Sequence, residues 1–368
     1  GGGGRPGDTD VAISIAGLNV ESFASWAAMS GLVPRIAVTN GYCFAGNAVL
    51  FGCADITIAT RQSWIGMAGP AMIEGGGLGS FHPSEIGPAQ VQYKNGVLDL
   101  LAEDEADATR LARQLLGYFQ GPVRNWQAPP QHLLREVLPA DRRFGYKVRT
   151  IIETLVDEAT FVELRRVYGR SIITGFARLE GWPVGLIAND CQQLGGAIDS
   201  QAAAKAARFL QLCDAFGLPV VSLTDTPGYM VGVDSEREGA VRKMSRLMVA
   251  GASISVPLVN IILRKAYGLG AMALAGGGFT RPVYIAAWPT GECGGMGLEG
   301  AVQLGYRKEL DAVADPQERE ALFQQLLARM YEVGKATEAA AHLEIDAVID
   351  PADTRAVIVR AFAAAGQA

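Results

Sequence analysis

The chain uses one short pattern twice. VPRIAVTNGYCFAGNAV, beginning at Val33, and VPLVNIILRKAYGLGAM, beginning at Val256, each run a Pro-led, strand-forming stretch into a turn of Gly and Ala and then into a second apolar stretch. The interval from Val33 to Val256 is 223 residues, and a second pair of anchors, the Gly/Met-rich turns that follow Trp64 and Trp288, lies 224 residues apart. Two anchors at nearly one interval predict one supersecondary unit used twice, with strands alternating with helices and a Gly turn at the strand ends. That is an α/β architecture, and in such folds ligands meet the carboxyl ends of the strands, where helix N-termini point.

The remaining periodicity fits this alternation. Val148, Ile151, Ile152 and Leu155 recur at helix spacing and predict a helix over 146–157, and further helices are predicted over 201–216, 236–250 and 317–332. Strands are predicted over 184–189, 219–225 and 257–263. Between 121 and 145, Gly121-Pro122, Pro129-Pro130 and Pro139 interrupt a polar segment without a sustained period, which reads as a linker. The expected division is therefore 1–135, a first domain with its linker, and 136–368, a second domain.

Composition narrows the function classes. With 368 residues, of which 49% are hydrophobic, the chain can bury two cores. Its net charge of −6 and the absence of any Lys/Arg cluster longer than a pair give no electrostatic footprint for nucleic acid. Cys43, Cys53, Cys191, Cys213 and Cys293 form no C-x-x-C pair, which suits reduced thiols in a cytosolic setting and argues against a zinc ribbon. The apolar run 248–263 is broken by Gly251, Ser253, Ser255 and Pro257, short of the ~20 residues of a membrane span. The sequence reads as that of a soluble, cytoplasmic protein.

Few residues can carry side-chain chemistry. The three histidines, His82, His132 and His342, stand near no G-x-S-x-G turn, so a nucleophile–base triad has no support. No His/Cys/carboxylate cluster has metal-ligand spacing, and neither a Walker signature nor a G-x-G-x-x-G turn between strand and helix is present. Glu74 and Glu292 follow the two Trp residues and read either as bases or as solvated or capping carboxylates. Asp225, in LTDTPGYMVG, ends an apolar strand before Pro-Gly and reads either as a turn former or as a residue lining a site. Lys205 and Arg208, one helical turn apart, face either an anion or water. The Gly/Ala turns themselves have two readings: close packing of a strand against a helix, or bare amide N–H groups that hold a negatively charged oxygen.

Longer stretches decide among these classes. GGAIDSQAAAKAARFLQLCDAFGLPVVSLTDTPGYMVG, LRKAYGLGAMALAGG and AWPTGECGGMGLEGAV resemble the carboxyltransferase component of biotin-dependent acyl-CoA carboxylases, above all the type that fuses carboxylase, carrier and carboxyltransferase in one polypeptide. The likeness covers essentially the whole chain. It implies the crotonase fold used twice as ββα spiral domains, and a reaction that moves a carboxyl group from carboxybiotin to the α carbon of an acyl-CoA through an enolate. The reverse reaction, decarboxylation of a malonyl- or methylmalonyl-type CoA, uses the same kind of site, and a non-catalytic scaffold that docks a biotin carrier is a third reading. The resemblance further implies two oxyanion holes, the first at Ala45, Gly46 and Asn47 and the second at Gly268, Leu269 and Gly270. Around the second it implies Asp225, Tyr267, Met272, Gly195 and Gly196 as residues that meet the biotin or acyl-CoA. It implies biotin carboxylase and biotin carboxyl carrier partners, and a homo-oligomer, a hexamer of dimeric units.

The sequence departs from the family in three places. CFAGN replaces the family's CAGG, a one-residue insertion that leaves the first donor pair open by one position among Ala45, Gly46 and Asn47. Met272 stands where propionyl-type enzymes carry an Asp linked to acyl-chain choice. The opening GGGGRPGDTD resembles a segment that lies well inside the family's first domain, which predicts a first domain truncated here; separately, these residues carry neither an A-M-K-M biotinyl-lysine signature nor an ATP-grasp pattern, so both are expected elsewhere.

Overall fold

A computed structural model of the chain describes residues 20–142 and 144–366, so the expected features of the opening segment lie outside the described residues. The chain forms two compact units. Among the described residues, the first comprises 20–121 with 164–168, the second 122–142 and 144–163 with 169–366.

In the first unit three parallel strands stand in the order β1 (Ile36–Phe44), β2 (Ile56–Gly66) and β3 (Leu100–Ala102). A helix over Gly46–Gly52 connects β1 to β2, and Cys43, Ala48, Phe51, Ala59, Ile65, Ala89 and Leu98 make the core. The buried Asp99 ties the edge together by accepting from the Thr57 amide at 2.8 Å and from Arg165 Nε at 2.7 Å.

The second unit carries the larger sheet. Its strands are β4 (Val162–Leu164), β5 (Ile172–Leu179), β6 (Trp182–Asn189), β7 (Val220–Thr226), β8 (Leu258–Tyr267), β9 (Tyr284–Ala287), β10 (Glu292–Gly294) and β11 (Ala347–Val348). They run in the order β11-β9-β8-β7-β6-β5-β4, with β10 paired to β8. β5 and β6 are antiparallel, and β6 to β9 are parallel, so the central strands read as nearly continuous apolar runs buried on both faces. Helix 148–155 lays Ile151, Ile152 and Leu155 on this sheet together with Trp288 and Ile358. The long predicted helix over 236–250 is two helices, Val233–Arg237 and Ala240–Ser253, because Gly239 takes a left-handed φ of 77° between them.

Two expectations need correction. The proline-rich stretch after 121 is not a free linker: it packs within the second unit, with Leu134 buried, the Val123 amide on the Gly181 carbonyl at 3.1 Å, and Arg135 paired to Asp350 at 2.9 Å. The Trp anchors are not equivalent either. Ile36 pairs with Ile56 as Val259 pairs with Tyr284, and Tyr42 pairs with Trp64 as Lys265 pairs with Glu292. By register, then, the counterpart of Trp64 is Glu292, and the duplication is a property of the ladder. Trp64, in β2, lies tilted against Tyr42 with ring centroids 4.9 Å apart, whereas Trp288 lies in the turn after β9, buried, with its indole N–H donating to Thr354 Oγ1 at 2.9 Å.

Candidate active site

The first turn starts where β1 ends. A break in register between Thr39 and Gly41, with Gly41 at φ 92°, re-aims the end of β1. Ala45 follows at φ 51° and ψ −123°, and its N–H donates to the Gly66 carbonyl at 3.1 Å. The Ala45 amide is therefore spent on the sheet, which removes it from the three residues expected to offer donors. Gly46 and Asn47 open the helix, and first-turn N–H groups have no acceptor within their own helix. A side chain on Gly46 would meet the Phe23 ring at 3.0 Å.

The second turn is built the same way and gripped differently. Tyr267 precedes the helix Gly268–Leu274, in which Leu269 and Gly270 stand in the first turn. Gly268 has a φ of 57°, and a Cβ there would lie 2.8 Å from the Gly295 carbonyl oxygen. A Cβ on Gly270 would lie 2.7 Å from the backbone of Gly228. Leu269 is 61% exposed and Met272 38%. Gly195 and Gly196 hold φ values of 64° and 88° beyond the end of β6, and a Cβ on Gly196 would sit 2.4 Å from the Asp225 carbonyl. The ends of β6, β7, β8 and β10 thus bring Gly195, Gly196, Gly268, Leu269 and Gly270 close together, with the buried side chains of Asp225 and Tyr267 behind them.

Asp225 does not line that surface. Its side chain is wholly buried, where it accepts from Tyr146 Oη at 2.9 Å and from the Lys265 amide at 3.1 Å, and pairs with Arg264 at 3.1 Å. Burial and then the neighbouring Asp225 carboxylate hold the Tyr146 phenol well above its ordinary value, so the group stays a donor. Arg264 in turn donates to the carbonyls of Arg142 and Phe144 at 3.0 and 2.9 Å. Tyr267 is likewise buried, and its hydroxyl donates to Glu292 Oε2 at 2.7 Å, while the other oxygen of Glu292 pairs with Arg142 at 3.2 Å. Burial, then the Glu292 charge, raises the Tyr267 phenol as well.

Four other residues singled out in the sequence have roles other than those expected. Glu292 is neither a lone base nor a solvated cap but the partner of Tyr267 and Arg142. Lys205 is buried and donates to the Ile172 carbonyl at 2.7 Å, whereas Arg208 is exposed, so the two do not face one anion. Glu74 is exposed on the short helix 70–75. Sequence reading missed Arg264, Lys265 and Tyr146. The first two had a signal, a charged pair set inside an apolar strand directly before the Gly turn. Tyr146, distant in sequence, had none.

A family model for the carboxyl transferase domain matches residues 3–368. The chain belongs to the carboxyl transferase family. Among its relatives, the methylmalonyl-CoA carboxyltransferase 12S subunit of Propionibacterium freudenreichii subsp. shermanii is 33% identical over 360 residues, 95% of this chain and 68% of that protein. The propionyl-CoA carboxylase beta chain of Rhodococcus erythropolis is 37% identical over 335 residues, 89% of this chain and 69% of that one. A single-chain, multi-domain long-chain acyl-CoA carboxylase aligns with a TM-score of 0.90 at 55% identity, covering 98% of this chain. This chain spans 35% of that carboxylase's length. The transcarboxylase 12S hexamer with methylmalonyl-CoA and methylmalonic acid bound aligns with a TM-score of 0.84 at 32% identity, covering 94% of this chain and 67% of that one. These neighbours have the crotonase-like fold, in agreement with the repeated ladder. Among the described residues no helix is long and apolar enough to cross a membrane.

Proposed function

We propose that this chain supplies the carboxyl-transfer site of a biotin-dependent acyl-CoA carboxylase, taking a carboxyl group from carboxybiotin to the α carbon of an acyl-CoA. The observation that carries this reading is the preserved register of the two strand–turn–helix units, which puts a pair of first-turn amides at the same place in each. An enolate and an ionised urea carbonyl both concentrate negative charge on one oxygen, and preorganised N–H donors stabilise such an oxygen more in the transition state than before it.

The first pair, Gly46 and Asn47, is assigned to the thioester oxygen. The second, Leu269 and Gly270 after Gly268, is assigned to the biotin carbonyl. What supports the second assignment is that the turn carries no bulky side chain on its inner positions: Gly268 and Gly270 pack directly on the backbones of Gly295 and Gly228. When bound, biotin supplies the labile carboxyl group and the nitrogen that takes the α proton. This chain's residues hold the two oxygens and exclude bulk, with Tyr267 and Glu292 fixing the entry to the second turn. The proposed setting is a cytoplasmic homo-oligomer working with biotin carboxylase and carrier partners. Leu194, Val231 and Leu269, all exposed near the same strand ends, give a second copy apolar surface to cover.

The test is to incubate the complete enzyme with ATP, bicarbonate, Mg²⁺ and a panel of acyl-CoAs. Malonyl-type products are expected. Release of CO2 from added malonyl- or methylmalonyl-CoA, with no ATP-dependent product from any acyl-CoA, would replace the proposal with a decarboxylase.

A further inference from the structure

Resting on that reading, the structure also points to a residue that sets the second turn without being part of it. Lys265 lies on β8, just before Tyr267, and is half-buried. Its Nζ donates to the Gly195 carbonyl at 2.9 Å and lies 3.8 Å from Asp225 Oδ1, while its amide donates to the same carboxylate oxygen at 3.1 Å. One buried carboxylate thus seats both ends of this residue, and the ammonium reaches across to the strand-end loop of β6.

From Gly195 the contacts run in a circle. Gly196 offers its carbonyl to Thr226 Oγ1 at 2.8 Å, and the same hydroxyl accepts the Gly228 amide at 3.1 Å. Gly228 is the backbone against which Gly270 packs, so closely that a Cβ on Gly270 would come within 2.7 Å of it. Gly270 returns the path to the chain that follows Lys265. Every other link in this circle is made by backbone or by a fully buried hydroxyl. The Lys265 ammonium is the one link that rests on a partly exposed, flexible side chain.

We infer that Lys265, seated by Asp225, is a positioning residue that tensions the Gly195–Gly196 loop against the second turn and so holds the amides of Leu269 and Gly270 at the spacing the biotin-side oxygen requires. A lysine serves here because three donors on one small head can bind a carbonyl and a carboxylate at once. The amides themselves would remain without it, at the wrong distance, and small displacements of preorganised donors cost rate more than binding.

The experiment uses the complete enzyme with Lys265→Met, Lys265→Gln and Lys265→Arg, and reads two half-reactions together with the melting temperature. Discharge of carboxybiotin without acyl-CoA reports the second turn, and acyl-CoA saturation of full turnover reports the first. Lys265→Met is expected to slow discharge roughly tenfold, the scale of one lost charge-assisted bond. The KM for acyl-CoA and the melting temperature should stay close to wild type, and Lys265→Arg should recover most of the rate. Normal discharge in Lys265→Met, a loss explained by unfolded protein, a change confined to the acyl-CoA KM, or failure of Arg to rescue would each overturn the inference. Lys265→Gln, which keeps a neutral donor for the Gly195 carbonyl but loses the charge facing Asp225, should fall between the Met and Arg variants; a Gln variant slower than Met would also overturn the inference. A wild-type enzyme that discharges no carboxybiotin would instead count against the carboxyl-transfer reading.

Discussion

The two repeated units share a register and differ in what surrounds the turn. In the first, Gly46 faces the edge of one aromatic ring, Phe23, and the turn is anchored by a single backbone bond from Ala45 to Gly66. In the second, Gly270 and Gly268 are pressed against the backbones of Gly228 and Gly295, and a polar network of Asp225, Arg264, Lys265, Tyr267 and Glu292 lies behind them. A ring can swing aside, but the Gly228 backbone, which donates its amide to Thr226 Oγ1 and accepts at its carbonyl from the Ile198 amide, cannot. One topology therefore presents a tolerant turn and an intolerant one, and the same substitution should separate function from folding in the first and fuse them in the second.

The largest effects are expected in the second unit. Gly270→Val drives a branched side chain into the Gly228 backbone and should lose soluble, folded protein altogether, with Gly270→Ala showing a depressed melting temperature. Asp225→Ala should be comparably severe, because it leaves the Arg264 guanidinium buried without its counter-charge, a loss of about 3–5 kcal/mol. Denaturant titration of each variant checks both. If Gly270→Val melts like wild type, the contrast between the turns is wrong.

Next in size is Gly46→Val, which should fold, with Phe23 displaced, yet lose about 10²–10³ in the acyl-CoA-dependent half-reaction if its amide pair holds the thioester oxygen. Carboxybiotin discharge by that variant should remain near normal. Equal loss in both half-reactions would show that the two turns are not separate oxyanion sites. A smaller effect is expected for Tyr267→Phe, which keeps the packing and removes the hydroxyl bond to Glu292. Stability should fall by about 1–2 kcal/mol, with discharge slowed several-fold, measured by thermal melts and single-turnover assays. Least of all, Arg61→Ala should leave melting and turnover unchanged, since its pair with Glu103 in the first unit is exposed and screened by solvent.

Sequence and structure agree on what local pattern can encode. Small residues after an apolar strand mark a turn wherever they occur, so both turns, the strands β6 and β7 and the helix 200–215 were legible within a residue or two, while β8 runs four residues beyond its expected end, through Arg264 and Lys265 to Tyr267. Pairing register was not. Two Trp residues at nearly the same interval as the turns suggested equivalence, yet cross-strand hydrogen bonding matches Trp64 with Glu292, because more residues separate the helix from the next strand in the second unit than in the first. The proline-rich stretch misled for a related reason. Its lack of period describes its backbone, while its place in the fold depends on Leu134 and Arg135 finding partners more than a hundred residues away or deep in the core. Asp225 was visible as a strand-end carboxylate, but its burial depends on Tyr146 and Arg264, which no spacing rule connects to it.

The unequal connections between helix and strand bear on how much chain this architecture can absorb. Only residues 53–55 join the first helix to β2, while residues 275–283 join the second helix to β9, and the ladder beyond them is nevertheless the same. Extra length at that point has been taken up without moving any residue that faces the turn. Loop closure grows costlier only slowly with length, so an epitope or a fluorophore-bearing peptide inserted between the exposed Thr280 and Arg281 should leave the second turn intact. The short connection at 53–55 gives no such slack, since the Asp55 side chain there holds the buried Arg35 at 2.8 Å.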